Sequence, residues 1–178
     1  MNSKLVWIIL IAIIVGFHAS AATAGQFSAV VNGKSYHFNS SYDWNEDNLG
    51  AGLEYQFDSR SAWKTVVMAN GFRDSTNNIS YMAGAGLYRR LFATDRLSGF
   101  YIDAGLNAFL MTRDDVNDGN PFPGVLPSVV VGNGVVGLNL SYMPKWAVEQ
   151  TTNSTFVDPT VSGILFLQVK VSVDQLLP

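Results

Sequence analysis

Three side chains in this sequence have the types that acyl transfer between an ester and an alcohol needs: His37, Asp74 and Ser75. That reaction requires a base to take the proton of the attacking hydroxyl and donors to hold the oxyanion. An imidazole titrates in the right range, a serine offers a hydroxyl, and the carboxylate of Asp74 can orient the imidazole or bind a charged headgroup. Neighbours on a strand point to opposite faces, so Asp74 and Ser75 act together only from an irregular loop. The plainer alternative for the same dipeptide is a turn-forming pair.

The second histidine, His18, belongs to a segment expected to be removed. Lys4 is followed by an apolar run from Leu5 to Phe17 and then by small residues ending in Ala22-Thr23-Ala24. A basic start, a short apolar run and an A-x-A site read as a secretory signal peptide. A retained membrane anchor is the alternative, but the run is shorter than the roughly 20 residues a spanning helix needs. Residues 1–24 are therefore expected to leave, and 25–178 to form a single domain.

The remaining chain must position the trio without disulfides, because the sequence contains no cysteine. The full sequence has a formal charge of −3 with basic residues scattered, which argues against nucleic acid as a partner. Mean hydropathy is +0.16, yet no later run has the length of a spanning helix. An exported, apolar chain of this kind fits a transmembrane β-barrel, in which outward apolar residues alternate with inward polar ones.

The pattern along the chain agrees. Leu138, Leu140 and Tyr142 alternate with Gly137, Asn139 and Ser141, and Leu165, Leu167, Val169, Val171 and Val173 with Gln168, Lys170 and Ser172. Phe100, Ile102, Ala104, Leu106, Ala108 and Leu110 alternate with Asp103, Gly105 and Asn107. These period-two runs have the length of strands that cross a bilayer at a tilt. Turn residues divide the chain into eight runs, at about 26–38, 48–57, 62–73, 79–92, 99–112, 123–132, 135–144 and 160–173. Asn133-Gly134 is a hairpin signal because both residues tolerate positive φ. The expected fold is all-β, an eight-stranded antiparallel transmembrane barrel with its longer loops, and the 74–78 turn, on the outer side. A soluble lipocalin-type barrel with the opposite face outward is the structural rival, since periodicity does not tell inside from outside.

Three further features bear on a binding role. Ser80, Met82, Gly84, Gly86 and Tyr88 share one face of the fourth strand, so a lumenal orientation would let the two glycines leave a groove for an acyl chain; easing of barrel curvature is the alternative. Pro123, Pro127 and Pro144 cannot donate to a ladder, so pairing between strands six and seven is expected to loosen at its outer end, although Pro144 also suits plain strand termination. Glu54, Lys64, Asp103 and Lys170 read as a polar lumenal network whose partners the sequence does not assign.

These residues carry a family resemblance. Phe72-Arg73-Asp74-Ser75, then Met82-Ala83-Gly84-Ala85-Gly86, then Met111-Thr112-Arg113-Asp114 through Pro121-Phe122-Pro123-Gly124-Val125-Leu126-Pro127 to Tyr142-Met143-Pro144, resemble the lipid A palmitoyltransferases of Gram-negative outer membranes. The resemblance runs from about Ser35 to Pro144. It implies a barrel enzyme that moves a palmitoyl chain from a phospholipid to lipid A in the outer membrane. It places the essential histidine on His37, through Tyr36-His37-Phe38 and Trp44-Asn45-Glu46, and the essential Asp-Ser pair on Asp74 and Ser75. Gly86 becomes the floor of the hydrocarbon pocket, with Met82 and Gly84 on the same face, and Pro127 and Pro144 flank the lateral openings for lipid. No metal or cofactor is expected, and the barrel is expected to act as a monomer. Thr76-Asn77-Asn78 replace the family's aromatic neighbours of Asp-Ser, so altered contacts to the acceptor are expected. A non-catalytic lipid-binding or structural barrel, and a lipid hydrolase using the same three residues, are the competing readings.

Overall fold

The computed structural model describes residues 25–151 and 160–174, the side chains of residues 150 and 151 excepted. The leader expected over residues 1–24 lies outside the described residues. Eight strands follow in order: β1 (Gln26–Phe38), β2 (Asp47–Gln56), β3 (Trp63–Arg73), β4 (Ile79–Ala93), β5 (Tyr101–Thr112), β6 (Phe122–Gly132), β7 (Val136–Pro144) and β8 (Gly163–Ser172). Each pairs antiparallel with the next, and β8 closes onto β1, which makes a closed barrel. The expected runs match these strands closely. The largest departure is the start of β8, expected at residue 160 and found at Gly163.

The orientation left open by periodicity is settled by burial. Ser28, Asn70, Ser80, Asp103, Asn107, Asn139 and Ser141 are buried in the lumen, whereas Val31, Leu53, Leu87, Leu106, Val125 and Leu138 are exposed on the outside. Exposed aromatics flank this apolar band, with Phe27, Trp63 and Phe92 toward one end and Tyr36, Tyr81 and Tyr142 toward the other. An apolar belt between aromatic girdles is the exterior a bilayer requires of a barrel. A lipocalin-type barrel would show water the opposite face.

Two local features differ from expectation. The 133–134 turn forms where the Asn-Gly pair marks it, but without the positive φ that motivated it. It is closed by the Asn133 main-chain N–H, which donates to the Val136 carbonyl oxygen at 2.9 Å, and by the Asn133 side chain, whose Oδ1 accepts the N–H groups of Val135 and Val136 at 2.9 Å each. The segment after Pro144, read as polar loop, begins with a short helix, α1 (Lys145–Thr151). One buried residue, Val148, packs it against Val161 and Ile164, too little periodicity to register in the sequence.

The lumen is layered. Toward the short-turn end, Lys170 Nζ meets Glu54 Oε1 at 2.7 Å, and Arg90 pairs with Asp103 while lying 4.2 Å over the Tyr101 ring. Lys64 instead donates to the Ser59 carbonyl oxygen, so the expected network divides into separate pieces. Above lie Val66, Met68, Tyr88 and Val130. Next comes a polar layer in which Tyr88 donates to Asn107, Asn107 to Ser128, and Ser128 bonds Ser141, with Asn139, Gln168, Asn32 and Asn70 forming a second chain. The outer half of the barrel, by contrast, is hollow.

Candidate active site

The hollow is a cavity of about 810 Å³, within the range of pockets that enclose a small ligand. Its floor is the polar layer, represented by Asn32, Asn107, Ser141 and Gln168, and its walls are apolar, with Phe72, Met82, Phe109, Met111 and Phe166 among them. His37, Asp74 and Ser75 all line it, so a histidine of the first strand and the distant Asp-Ser pair share one enclosure.

His37 reaches the lumen through a break in β1. Ser28, Val30 and Asn32 point inward, and uninterrupted alternation would send Tyr36 and Phe38 in and His37 out. The register of β1 against both neighbours shifts just after Asn32, at Gly33-Lys34. A bulge of one residue reverses the alternation. Ser35 and His37 are consequently buried, while Tyr36 and Phe38 face outward. The ring of His37 stacks on Trp44, with centroids 5.2 Å apart and planes 17° from parallel. One oxygen of Glu46 accepts the His37 main-chain N–H at 3.0 Å and lies 3.4 Å from ring Nδ1.

Asp74 and Ser75 occupy the irregular turn between β3 and β4 that joint action requires. Asp74 is 1% exposed. Its Oδ1 accepts the N–H and hydroxyl of Thr76 at 2.9 and 2.8 Å and the N–H of Asn78 at 3.0 Å, and its Oδ2 accepts the Ser80 hydroxyl at 2.7 Å. Arg113 approaches Oδ2 to 3.8 Å while gripping Asp115 with two donors. Burial alone pushes the Asp74 carboxyl up, but the bonds from Ser80 and Thr76, the Arg113 guanidinium and the Asn78 N–H outweigh it and hold the group below the ordinary carboxylate value. The carboxylate is thus spent on its own turn and on Arg113. The carboxylate beside His37 is Glu46.

Of the remaining expected positions, Met82 is on the cavity lining, while Gly84, Gly86, Pro127 and Pro144 are not. Met82 lines its wall, and Gly84 and Gly86 share that inward face of β4. Gly86 lies beside the floor: a Cβ there would overlap Asn107 Oδ1 and come within 2.8 Å of Tyr88 Cε2 and Val66 Cγ2. Loosening between β6 and β7 is present. Their pairing ends at Ser128↔Ser141, although β6 extends outward to Phe122 and β7 to Pro144. Pro127 is the first outward residue past the last pair and Pro144 ends β7. Outward-facing Pro123 and Val125 both line the cavity, so it communicates with the barrel's exterior at that gap.

Residues 24–157 match the family described as antimicrobial peptide resistance and lipid A acylation protein PagP. The chain belongs to the PagP family. Among curated relatives, the lipid A acyltransferase PagP of Bordetella pertussis is 32% identical over 123 residues, 64% of each chain. That of Methylobacillus flagellatus is 31% identical over 96 residues, 54% of this chain and 50% of the other. The matches thus span between half and just under two thirds of these relatives' length. Among solved structures, Neisserial surface protein A has a TM-score of 0.40 at 17% identity, covering 85% of this chain and 99% of that one. The PagP match contains β1 to β7 with His37, Asp74, Ser75, Gly86 and the prolines, and stops short of β8. Within this PagP family member, sequence reading did not single out Glu46 or Arg113 for a role. Both lie within the runs Trp44-Asn45-Glu46 and Arg113-Asp114, and only the fold shows what they face.

Proposed function

We propose that this barrel is an outer-membrane lipid acyltransferase that moves a palmitoyl-like chain from a phospholipid to lipid A or a related lipid hydroxyl. The observation that carries this reading is the apolar-walled cavity with His37, Asp74 and Ser75 on its lining and a side opening between β6 and β7. An acyl tail enters sideways from the bilayer through that gap, and its ester comes to lie beside the imidazole. His37 takes the proton as the acceptor hydroxyl oxygen bonds to the ester carbonyl carbon. The tetrahedral intermediate then collapses, the bond to the donor glycerol oxygen breaks, and that oxygen recovers the proton from the imidazolium. Ser75 supplies a hydroxyl beside the reacting ester, and Asp74 holds the turn that presents it. The PagP family and the names of the relatives support the reading, as does the bilayer-facing exterior.

The test is mass spectrometry of lipid A from a Gram-negative host producing this chain, beside Ser75→Ala, with equal folding established by heat-dependent gel mobility. Lipid A should gain one acyl chain, and the gain should vanish in the variant. Free fatty acid and lysophospholipid without acylated lipid would identify a hydrolase instead.

Gly86→Met tests the pocket floor. A side chain there meets Asn107, Tyr88 and Val66, and an Asn107 displaced outward raises the floor. The transferred chains should shift to shorter lengths in the same mass spectra; an unchanged length profile would remove Gly86 from this role.

A further inference from the structure

The ladder that carries His37 does not by itself fix it relative to Ser75. Pairing of β1 with β2 ends at Lys34↔Asp47, below His37, with one further bond from Ser35 N–H to the Glu46 carbonyl oxygen. On its other side His37 pairs with Ile164 of β8, away from the β3–β4 turn. The span between imidazole and Asp-Ser turn is bridged by three consecutive residues. Trp44 stacks on the His37 ring and Glu46 contacts its Nδ1 and main-chain N–H. Between them, the main-chain N–H of Asn45 donates to the Ser75 carbonyl oxygen at 3.0 Å, and its Nδ2 donates to the Asp74 carbonyl oxygen at 2.9 Å. The same amide is steadied from the β2 side, donating to the Asp47 carbonyl oxygen at 3.2 Å and accepting the Asp47 N–H at 3.3 Å.

We propose that Asn45 is the positioning residue of this site, clamping the Asp74-Ser75 turn to the Trp44 and Glu46 contacts of His37. The inference rests on the acyl-transfer reading and names what sets its geometry. Glu46, placed at Nδ1, favours the tautomer with the proton on that nitrogen and leaves Nε2 as the base. Asn45 adds nothing to the chemistry itself. It determines whether that base and the Ser75 hydroxyl face one reacting ester, and a displacement of about 1 Å costs on the order of 100-fold in rate.

The full chain folded in detergent micelles, with palmitoyl phosphatidylcholine as donor and lipid A as acceptor, provides the test. Asn45→Ala removes the side-chain clamp. Asn45→Asp keeps the shape and the acceptor for Asp47 N–H but loses the donor to Asp74, and it serves if the alanine variant does not fold. The expected result is a kcat lower by about 100-fold with KM unchanged. The His37 ring-proton signals, assigned by their loss in His37→Ala, should also leave the ring-current-shifted position that Trp44 stacking gives them. A folded variant with unchanged kcat, or with His37 signals unmoved, overturns the proposal. If the unaltered chain transfers no acyl group, the acyl-transfer reading fails. The ring signals then decide the clamp alone, moving in the variants if Asn45 positions His37 and staying if it does not.

Discussion

His37→Ala is expected to lower acyl transfer by roughly 10²- to 10⁴-fold, the range that one positioned general base supplies. The His37 side chain is 2% exposed, on the wall of a largely apolar cavity where water is a poor substitute for a fixed base. Removing it also frees one face of Trp44 and one contact of Glu46, so part of the loss comes from the wall's own relaxation. His37→Gln separates the two contributions, since glutamine restores much of the bulk but takes no proton. Both variants should lose kcat to a similar degree with KM little changed, because most of the apolar wall is left unaltered. Initial rates with purified, gel-shifted barrel in micelles are the measurement. Transfer persisting in His37→Gln at the rate of the unaltered chain would move the base elsewhere and leave His37 a packing residue.

The barrel was largely legible because its physics is repetitive. Strands exposed to lipid on one side and to a polar lumen on the other must alternate, and Leu138 to Tyr142 or Leu165 to Ser172 display that alternation openly. The site was legible in type but not in geometry. Period-two counting from Ser28 sends His37 outward, and what turns it inward is the bulge after Asn32. Gly33 within a strand was the available signal, since a glycine there often marks a bulge. Asp74 looked like the natural partner for an imidazole, yet its turn supplies Thr76, Asn78 and Ser80 as donors within a few residues. Short-range bonds of that kind outcompete a distant histidine. Glu46 lies nine positions after His37 on a segment with no periodicity, and it is the return of β2 along β1, paired at Lys34↔Asp47, that brings its carboxylate to the ring.

Lys170→Met is expected to destabilise the barrel by about 3–5 kcal/mol, while Glu54→Leu combined with Lys170→Met returns it to near the original stability. The side chains are 13% and 8% exposed, and Lys170 Nζ lies 2.7 Å from Glu54 Oε1. At such burial the attraction within the pair is strong, but so is the cost of having desolvated both charges. A single replacement keeps that cost for the survivor and removes its compensation. A double replacement removes both. Denaturant unfolding in micelles, compared at equal slope, measures the difference, and a Lys170→Met barrel as stable as the unaltered chain would mean that Glu54 is hydrated. The pair sits on the inner side of the polar floor formed by Asn107, Ser128 and Ser141, while the proposed chemistry lies on the outer side. Acyl transfer by the double variant should therefore match that of the unaltered chain. That separation divides the barrel into an inner half that holds it closed and an outer half left hollow.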